Sequence, residues 1–196
     1  LDMSLPQSGQ KGRWTPQEVR EYLDRYGYGH IIDELYDAGY RIKSYDRMVT
    51  TYIENGEIKS REVPANGSHS DSTIRIRANL SVKEAASVLF HEYLHFKIEI
   101  YQRDDPESWL KEEEEVRYRE ELFRIDVSKK AAELGRVEDM LGPKIAGGRR
   151  NGIPDRNTIH DYVEKKYRPF LEWTRKMHPK SDYIPDDDIS RKEWGK

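Results

Sequence analysis

The stretch Ser81-Val-Lys-Glu-Ala-Ala-Ser-Val-Leu-Phe-His-Glu-Tyr-Leu-His95 joins a helix start to side chains that can bind a metal ion. Ser81 with Glu84 forms a capping box, and the apolar residues that follow predict a largely buried helix. His91 and His95 are four positions apart, so both imidazoles lie on one face of that helix. Two histidines and a carboxylate are costly to bury unless a partner satisfies them, and a metal ion does so.

His91-Glu92-Tyr93-Leu94-His95 reads as the pattern His-Glu-x-x-His. In this pattern the two imidazoles bind one metal ion and the glutamate reaches a water molecule beside it. A chance match in a chain of this composition is on the order of one in a hundred. The motif therefore predicts a zinc site rather than a pair of ordinary helix-surface histidines.

The composition limits the class of protein. A chain of 196 residues fits one domain with its own core, and the net charge of −3 favours neither a nucleic-acid partner nor a membrane surface. Mean hydropathy is −0.99 and 36% of the residues are charged, which predicts a thin core with a strongly solvated surface. There is no cysteine, so disulfides and thiolate metal ligands are excluded. No apolar run approaches the length of a membrane span.

Signals for secondary structure follow one another in order along the chain. Thr15, Pro16 and Glu18 predict a helix start, and a second helix is predicted over residues 29–38. The Asn55-Gly56 pair predicts a hairpin with a type I′ turn. The other predicted elements are hairpin strands over residues 48–53 and 58–63, a polar loop over 64–72, a strand over 73–78, and helices over 106–134 and 158–177.

The two ends of the chain differ from its middle. Residues 1–14 are rich in Gly, Ser and Pro and predict a linker or entry segment without the apolar region of a signal peptide. Residues 15–178 are predicted to form one folded domain. Residues 179–196 contain three consecutive aspartates together with Pro and Gly, and they predict an extended or mobile tail.

A helix, a hairpin, a strand, the metal helix and then further helices follow in the order seen in zincin metallopeptidases. With His91, Glu92 and His95, this chain resembles a small zincin. The resemblance implies an α+β fold, mostly helical, with a small mixed or antiparallel sheet of a hairpin and an edge strand beside the metal-binding helix. It also implies that the strand Thr73–Ala78 pairs with the main chain of an extended substrate.

The third metal ligand separates the zincin clans. Metzincins continue with a glycine and a third histidine, where this chain has Ile98 and Tyr101, so that clan is excluded. Gluzincins take a glutamate from a following helix. Glu114 lies 19 positions after His95, which matches the spacing of aminopeptidase-like gluzincins, so the resemblance favours Glu114 as the third ligand.

Alternatives to Glu114 stay open in the same acidic run. Glu113 shares a helix face with apolar residues that form a better stripe than the one beside Glu114. Glu115, Glu120 and Glu121 are also candidates. Acidic residues near the start of a helix also stabilise the helix dipole, so the run has a use without any metal.

Two imidazoles and one carboxylate on Zn²⁺ leave a position open for water, as a catalytic site requires. The resemblance then implies peptide-bond hydrolysis with Glu92 as the general base. An oxyanion donor is assigned to His160 in the late helix, with Tyr162 and Tyr167 as alternatives.

Two other functions compete with this interpretation. A di-iron site requires a second Glu-x-x-His pair, which the chain lacks. A zincin-like binding or scaffold module with weak catalysis is the other alternative, but a purely structural metal site has no use for a base at Glu92.

The segment Leu5-Pro-Gln-Ser-Gly-Gln-Lys-Gly-Arg-Trp14 resembles the junctions that precede C-terminal toxin domains in bacterial polymorphic toxins, including Rhs and hemagglutinin-type carriers. The resemblance implies a secreted effector domain, or one delivered into a target cell as part of a larger carrier. Its expected partners are a protein or peptide substrate and a cognate immunity protein.

Overall fold

The computed structural model describes residues 14–46, 49–62, 65–70, 72–102 and 104–177. They form an α+β fold with a small mixed sheet and separate two-stranded sheets. The α-helices are α1 Pro16–Arg25, α2 His30–Asp37, α3 Val82–Lys97, α4 Glu107–Glu133 and α5 Arg156–Met177, and a 3₁₀ turn covers Val137–Asp139. The strands are β1 Arg41–Tyr45, β2 Val49–Glu54, β3 Glu57–Glu62, β4 Gly67–Ser70, β5 Thr73–Arg77, β6 Arg149–Arg150 and β7 Ile153–Pro154.

Capping explains where two of these helices begin. Thr15 Oγ1 accepts a hydrogen bond from the backbone N–H of Glu18 at 3.2 Å, and Ser81 Oγ accepts one from the N–H of Glu84 at 3.3 Å. Both contacts satisfy N–H groups that the first helical turn leaves without an intrahelical acceptor. The predicted starts of α1 and α3 are therefore confirmed.

The hairpin of β2 and β3 is confirmed as well, but its position differs from the prediction. Asn55 and Gly56 have φ angles of 52° and 77°, as a type I′ turn requires at both central residues. The hairpin forms a sheet of its own instead of extending the one beside α3. Its Arg61 guanidinium lies 5.0 Å from the ring centre of Trp173 in α5.

The mixed sheet has the strand order β1-β5-β4. β5 pairs parallel with β1 and antiparallel with β4, so the strand Thr73–Ala78, predicted to be an edge strand, is central. In the described residues the edge nearer the predicted site is β4, which lies inside the predicted polar loop 64–72. The sequence Gly-Ser-His-Ser of β4 has no alternation of apolar and polar residues, so the period-2 signal of a strand is missing.

Two clusters of buried side chains hold the elements together. The larger cluster packs α1, α2, β5 and α3 against the C-terminal half of α4, and the second packs α5 against the start of α4 and against Ala65. α3 consequently lies between the mixed sheet and α4 and is buried along most of its length. Polar side chains on α3 must therefore find their partners inside the protein.

The folded part of the chain begins one residue earlier than predicted. Trp14, assigned above to the entry segment, is buried in the larger cluster, and its Nε1 donates to the carbonyl of Arg77 at 2.9 Å. Residues 1–13 and the predicted tail 179–196 lie outside the described residues. No helix in the described part of the chain combines the length and apolar character that a membrane crossing requires.

Candidate metal centre

The histidines of α3 face each other on successive helical turns. His91 Nε2 and His95 Nε2 are 3.3 Å apart, and neither side chain is exposed. The i, i+4 spacing places both rings on the face of α3 that packs against α4. The geometry that the motif predicts for the two imidazoles is therefore present.

Glu113 of α4 closes this group. Its Oε1 lies 2.9 Å from His95 Nε2 and its Oε2 lies 3.6 Å from His91 Nε2. One donor atom from each of the three residues lies within 4.8 Å of the others, and all three residues are buried. Two imidazole nitrogens and a carboxylate thus meet where no solvent reaches them.

The structure does not bring Glu114, the predicted third ligand, to the two histidines. Successive residues of an α-helix are rotated by about 100°, so Glu114 turns away from α3 when Glu113 faces it. Glu114 Oε1 instead lies 2.5 Å from His160 Nδ1 at the surface. The apolar stripe was the better signal, since Val116 and Phe123, which share the face of Glu113, are buried.

Two further glutamates lie behind the histidine rings. Glu112 Oε2 is 2.9 Å from His95 Nδ1, and Glu120 Oε2 is 3.1 Å from His91 Nδ1. The Glu112 contact has hydrogen-bond geometry, and the Glu120 contact is a charge contact without it. Carboxylates at the outer nitrogens of this kind orient most histidines that bind metals. Sequence reasoning assigned neither role, although Glu120 falls seven positions after Glu113 and so on the same helix face.

Both outer carboxylates are themselves held. Glu112 Oε1 accepts the backbone N–H groups of Ile100 at 3.3 Å and Tyr101 at 3.2 Å. Glu120 Oε2 lies 3.5 Å from Lys144 Nζ, and its Oε1 lies 3.4 Å from Arg117 Nη1. Each carboxylate is therefore anchored by groups outside the histidine pair.

Opposite charges within the group shift the pKa values of its members toward their charged forms. Burial works against ionisation of Glu113, but the charge of the protonated His95 ring outweighs it and lowers the pKa of Glu113. Burial also opposes protonation of His95, but the charge of Glu113 and the hydrogen bonds that the protonated ring donates to Glu112 and Glu113 raise its pKa. The pKa of Glu120 is lowered despite burial, chiefly by the charge of Lys144. Glu113 and Glu120 are thus ionised, as a carboxylate ligand must be, and a metal ion at this group would displace the proton from His95 Nε2.

Glu92, the predicted base, lies on another side of α3, facing β4. Its side chain is fully buried, and a Cβ built on Gly67 would lie 3.4 Å from its Oε1 and 2.4 Å from Val88 Cγ1. A larger residue at position 67 would push β4 away from α3. Gly67 thus lets the strand backbone pass close to the carboxylate of Glu92.

The three residues predicted as possible oxyanion donors lie in different environments, and none belongs to the group around His91 and His95. His160 is exposed and contacts Glu114, so the structure does not bring this predicted donor to the group around His91 and His95. Tyr162 is partly buried, with its ring centre 5.5 Å from the Arg117 guanidinium. Tyr167 is fully buried, and its hydroxyl accepts a hydrogen bond from Arg117 Nη2 at 2.5 Å.

The other two glutamates considered as third ligands, Glu115 and Glu121, form ion pairs with arginines. Glu115 forms ion pairs with Arg119 and Arg156 at the surface. Glu121 pairs with Arg149. Neither belongs to the group around His91 and His95.

Comparison of the chain with protein-family models, with curated proteins and with solved structures found no match in any of the three. Function is therefore inferred from the site itself.

Proposed function

We propose that this chain is a zinc-dependent metallopeptidase in which His91, His95 and Glu113 hold the ion and Glu92 acts as the general base. The observation that carries the proposal is the convergence of two imidazole Nε2 atoms and one carboxylate, with a second carboxylate behind each ring. Packing alone does not require this arrangement, because buried ionisable groups are costly unless they are paired or bind a metal.

The residues fit a zinc ion in both spacing and chemistry. Ligand nitrogens about 2.0–2.1 Å from a tetrahedral ion lie about 3.3 Å from each other. The two Nε2 atoms are 3.3 Å apart. Two histidines and one glutamate form the ligand set of one group of catalytic zinc sites, in which the fourth position is left for water.

Each of the glutamates around the site has its own role in the proposed hydrolysis. When bound, zinc supplies Lewis acidity and activates water for attack on a carbonyl group. Glu92 takes the proton from the attacking water and passes it to the leaving amine. Glu112 and Glu120 hold the two imidazoles in the orientation that binding requires.

A second function is favoured by the burial of the site. His91, Glu92 and Glu113 are each 0% exposed, so a substrate reaches Glu92 only after the surrounding elements separate. A site that stays closed would make the chain a zincin-like binding or scaffold module in which the ion joins α3 to α4. The buried carboxylate of Glu92 supports the enzyme instead, since a structural ion gains nothing from it.

Delivery as a bacterial effector belongs to the same proposal. The resemblance of Leu5–Trp14 to the junctions of polymorphic toxins supports a domain that is released from a carrier and neutralised by a cognate immunity protein. A peptidase with this role acts on a protein of the target cell. Expression of the parent in bacteria should then slow growth, and expression of Glu92→Gln should not.

Metal content and peptide cleavage together test the proposal. Protein purified without added metal is analysed by mass spectrometry, and cleavage of an unfolded protein substrate is followed for the parent, His91→Ala and Glu92→Gln. We expect about one zinc per chain in the parent and in Glu92→Gln, none in His91→Ala, and cleavage by the parent alone. Loss of the base should reduce the rate by about 10²–10⁴-fold.

The outcomes separate the alternatives. Zinc that is bound in the parent without any cleavage would favour the scaffold module. A parent that is free of metal and takes up none when zinc is added would contradict both.

A further inference from the structure

Arg117 is a buried cation beside the proposed metal centre. It lies one turn after Glu113 on α4, and only 2% of it is exposed. Its Nη1 is 3.4 Å from Glu120 Oε1, and the other oxygen of that carboxylate, Oε2, faces His91. A buried guanidinium requires partners of this kind, because desolvating the charge is otherwise costly.

The other side of Arg117 belongs to α5. The Tyr167 hydroxyl accepts a hydrogen bond from Arg117 Nη2 at 2.5 Å, and the Tyr167 ring centre is 5.8 Å from the guanidinium. Tyr167 is 0% exposed and packs edge-on against Trp109 in the second cluster. Its hydroxyl is therefore held in place by the packing of α5 on α4.

A cation lies beside each oxygen of the Glu120 carboxylate. Lys144 approaches Oε2, the oxygen that faces His91, and Arg117 approaches Oε1. A carboxylate held at both oxygens does not rotate freely about its last bond. Because Glu120 Oε2 lies 3.1 Å from His91 Nδ1, the position of the Glu120 carboxylate limits how the imidazole can turn.

We propose that Arg117 and Tyr167 are positioning residues for His91, so that the docking of α5 completes the metal centre. The contacts run from the Tyr167 hydroxyl through Arg117 and Glu120 to the outer nitrogen of His91. This inference rests on the metal site proposed above. It adds that α5, which supplies no ligand, controls how tightly and in what geometry the ion is held.

Conservative substitutions test the proposal without removing a ligand. Tyr167→Phe deletes one buried hydroxyl, and Arg117→Lys keeps the charge but lacks the fork that reaches Glu120 and Tyr167 together. Tyr22→Phe is the matched control, because Tyr22 is buried and its hydroxyl donates to the Asp139 carbonyl at 2.7 Å, outside the metal centre. Each variant is compared with the parent in zinc affinity, by competition with a chelator, and in the visible spectrum of the Co²⁺-substituted protein.

We expect zinc affinity to fall about 10–100-fold in Arg117→Ala, the range for loss of an outer-sphere partner. Arg117→Lys and Tyr167→Phe should show smaller losses, with shifted Co²⁺ bands. Tyr22→Phe should keep the affinity and the spectrum of the parent, although its unfolding temperature falls. Parental affinity and bands in both Tyr167→Phe and Arg117→Lys would overturn the proposal, even if Arg117→Ala does not fold.

The positioning role can be tested even if the proposed peptidase activity is not found. If the parent binds zinc and cleaves nothing, the affinity comparison is still valid. If the parent binds no metal, the imidazole proton resonances of His91 are compared instead, assigned by their absence in His91→Ala. A shift in Tyr167→Phe but not in Tyr22→Phe supports the positioning role, and unchanged resonances in both overturn it.

Discussion

Two groups of side chains that could hold a metal ion include neighbouring residues of α4, Glu113 and Glu114, and differ in almost every other respect. Glu113 faces inward to His91 and His95, whereas Glu114 faces outward to His160 and Glu164. In each group, donor atoms from three residues lie within 4.8 Å of one another. Distance alone therefore does not distinguish a metal centre from a cluster of surface charges.

Burial and the surrounding contacts make the distinction. The inner group has a carboxylate at the outer nitrogen of each imidazole, and its three residues are shielded from water. In the outer group, the His160 side chain is 52% exposed and Glu164 forms an ion pair with Arg168. Water and a neighbouring cation already satisfy the outer group, so an ion gains little there.

Removal of metal should give the largest effect and should act through the inner group. Free zinc at 1,000 times its dissociation constant stabilises a folded protein by about 4 kcal/mol, which for a chain of this size raises the unfolding temperature by roughly 8–16 °C. Calorimetry with and without a chelator measures the shift. His91→Ala should unfold at the same temperature in both, and a shift that persists in His91→Ala would place the ion elsewhere.

Replacing each of the two adjacent glutamates with alanine should show which group binds zinc. Glu113→Ala removes the proposed third ligand, so its zinc affinity should fall by more than the roughly 100-fold that loss of an outer-sphere contact produces. Glu114→Ala removes a surface contact and should bind zinc as the parent does. Chelator competition measures both variants, and equal losses would end the distinction between the two groups.

Glu120→Gln should sharpen the comparison by weakening the inner group without removing a ligand. The amide keeps the shape of the side chain but loses the charge beside His91 Nδ1, so zinc affinity should fall about 10–100-fold. Glu115→Gln, which loses surface ion pairs, is the control. An unchanged affinity in Glu120→Gln would mean that the His91 ring is held by other contacts.

The smallest effect belongs to the outer group and depends on pH. The hydrogen bond to Glu114 and the charge of that residue raise the pKa of His160 above its ordinary 6.5. A raised pKa in the folded protein contributes stability below pH 6.5, and this contribution disappears as the pH rises through the folded value. The free energy of unfolding of the parent should exceed that of His160→Ala by less than about 1 kcal/mol at pH 5.5.

This difference should shrink by pH 8.5. Chemical denaturation at the two pH values measures it, with zinc content as a parallel control. A difference that grows with pH, or loss of zinc in His160→Ala, would contradict the assignment of His160 to a surface ion pair.

Local patterns predicted the local structure well. The capping boxes marked the starts of α1 and α3, and Asn55-Gly56 marked the hairpin turn. These features depend on hydrogen bonds and dihedral angles within a few residues, so the amino-acid order contains the needed information. The i, i+4 spacing of His91 and His95 belongs to the same class.

Features that depend on packing were predicted less well. The four residues of β4 have no apolar alternation, so their sequence predicts a loop, and they form a strand because β5 supplies the hydrogen-bond partners. Spacing favours Glu114 as the third member of the histidine group, but the rotation of α4 over α3 brings in Glu113. A shift of one residue turns a helical side chain by about 100°, which sequence spacing across a loop does not resolve.

The sequence by itself determined the helical segments, the hairpin turn and the placement of both imidazoles on one face of α3, because each is set by interactions within one or two helical turns. Only the tertiary structure decided which glutamate meets the histidines, which carboxylates lie behind the rings and that Tyr167 reaches Arg117. Those contacts join α3, α4 and α5, and they form only when burial of apolar surface sets the rotation of each helix against its neighbours.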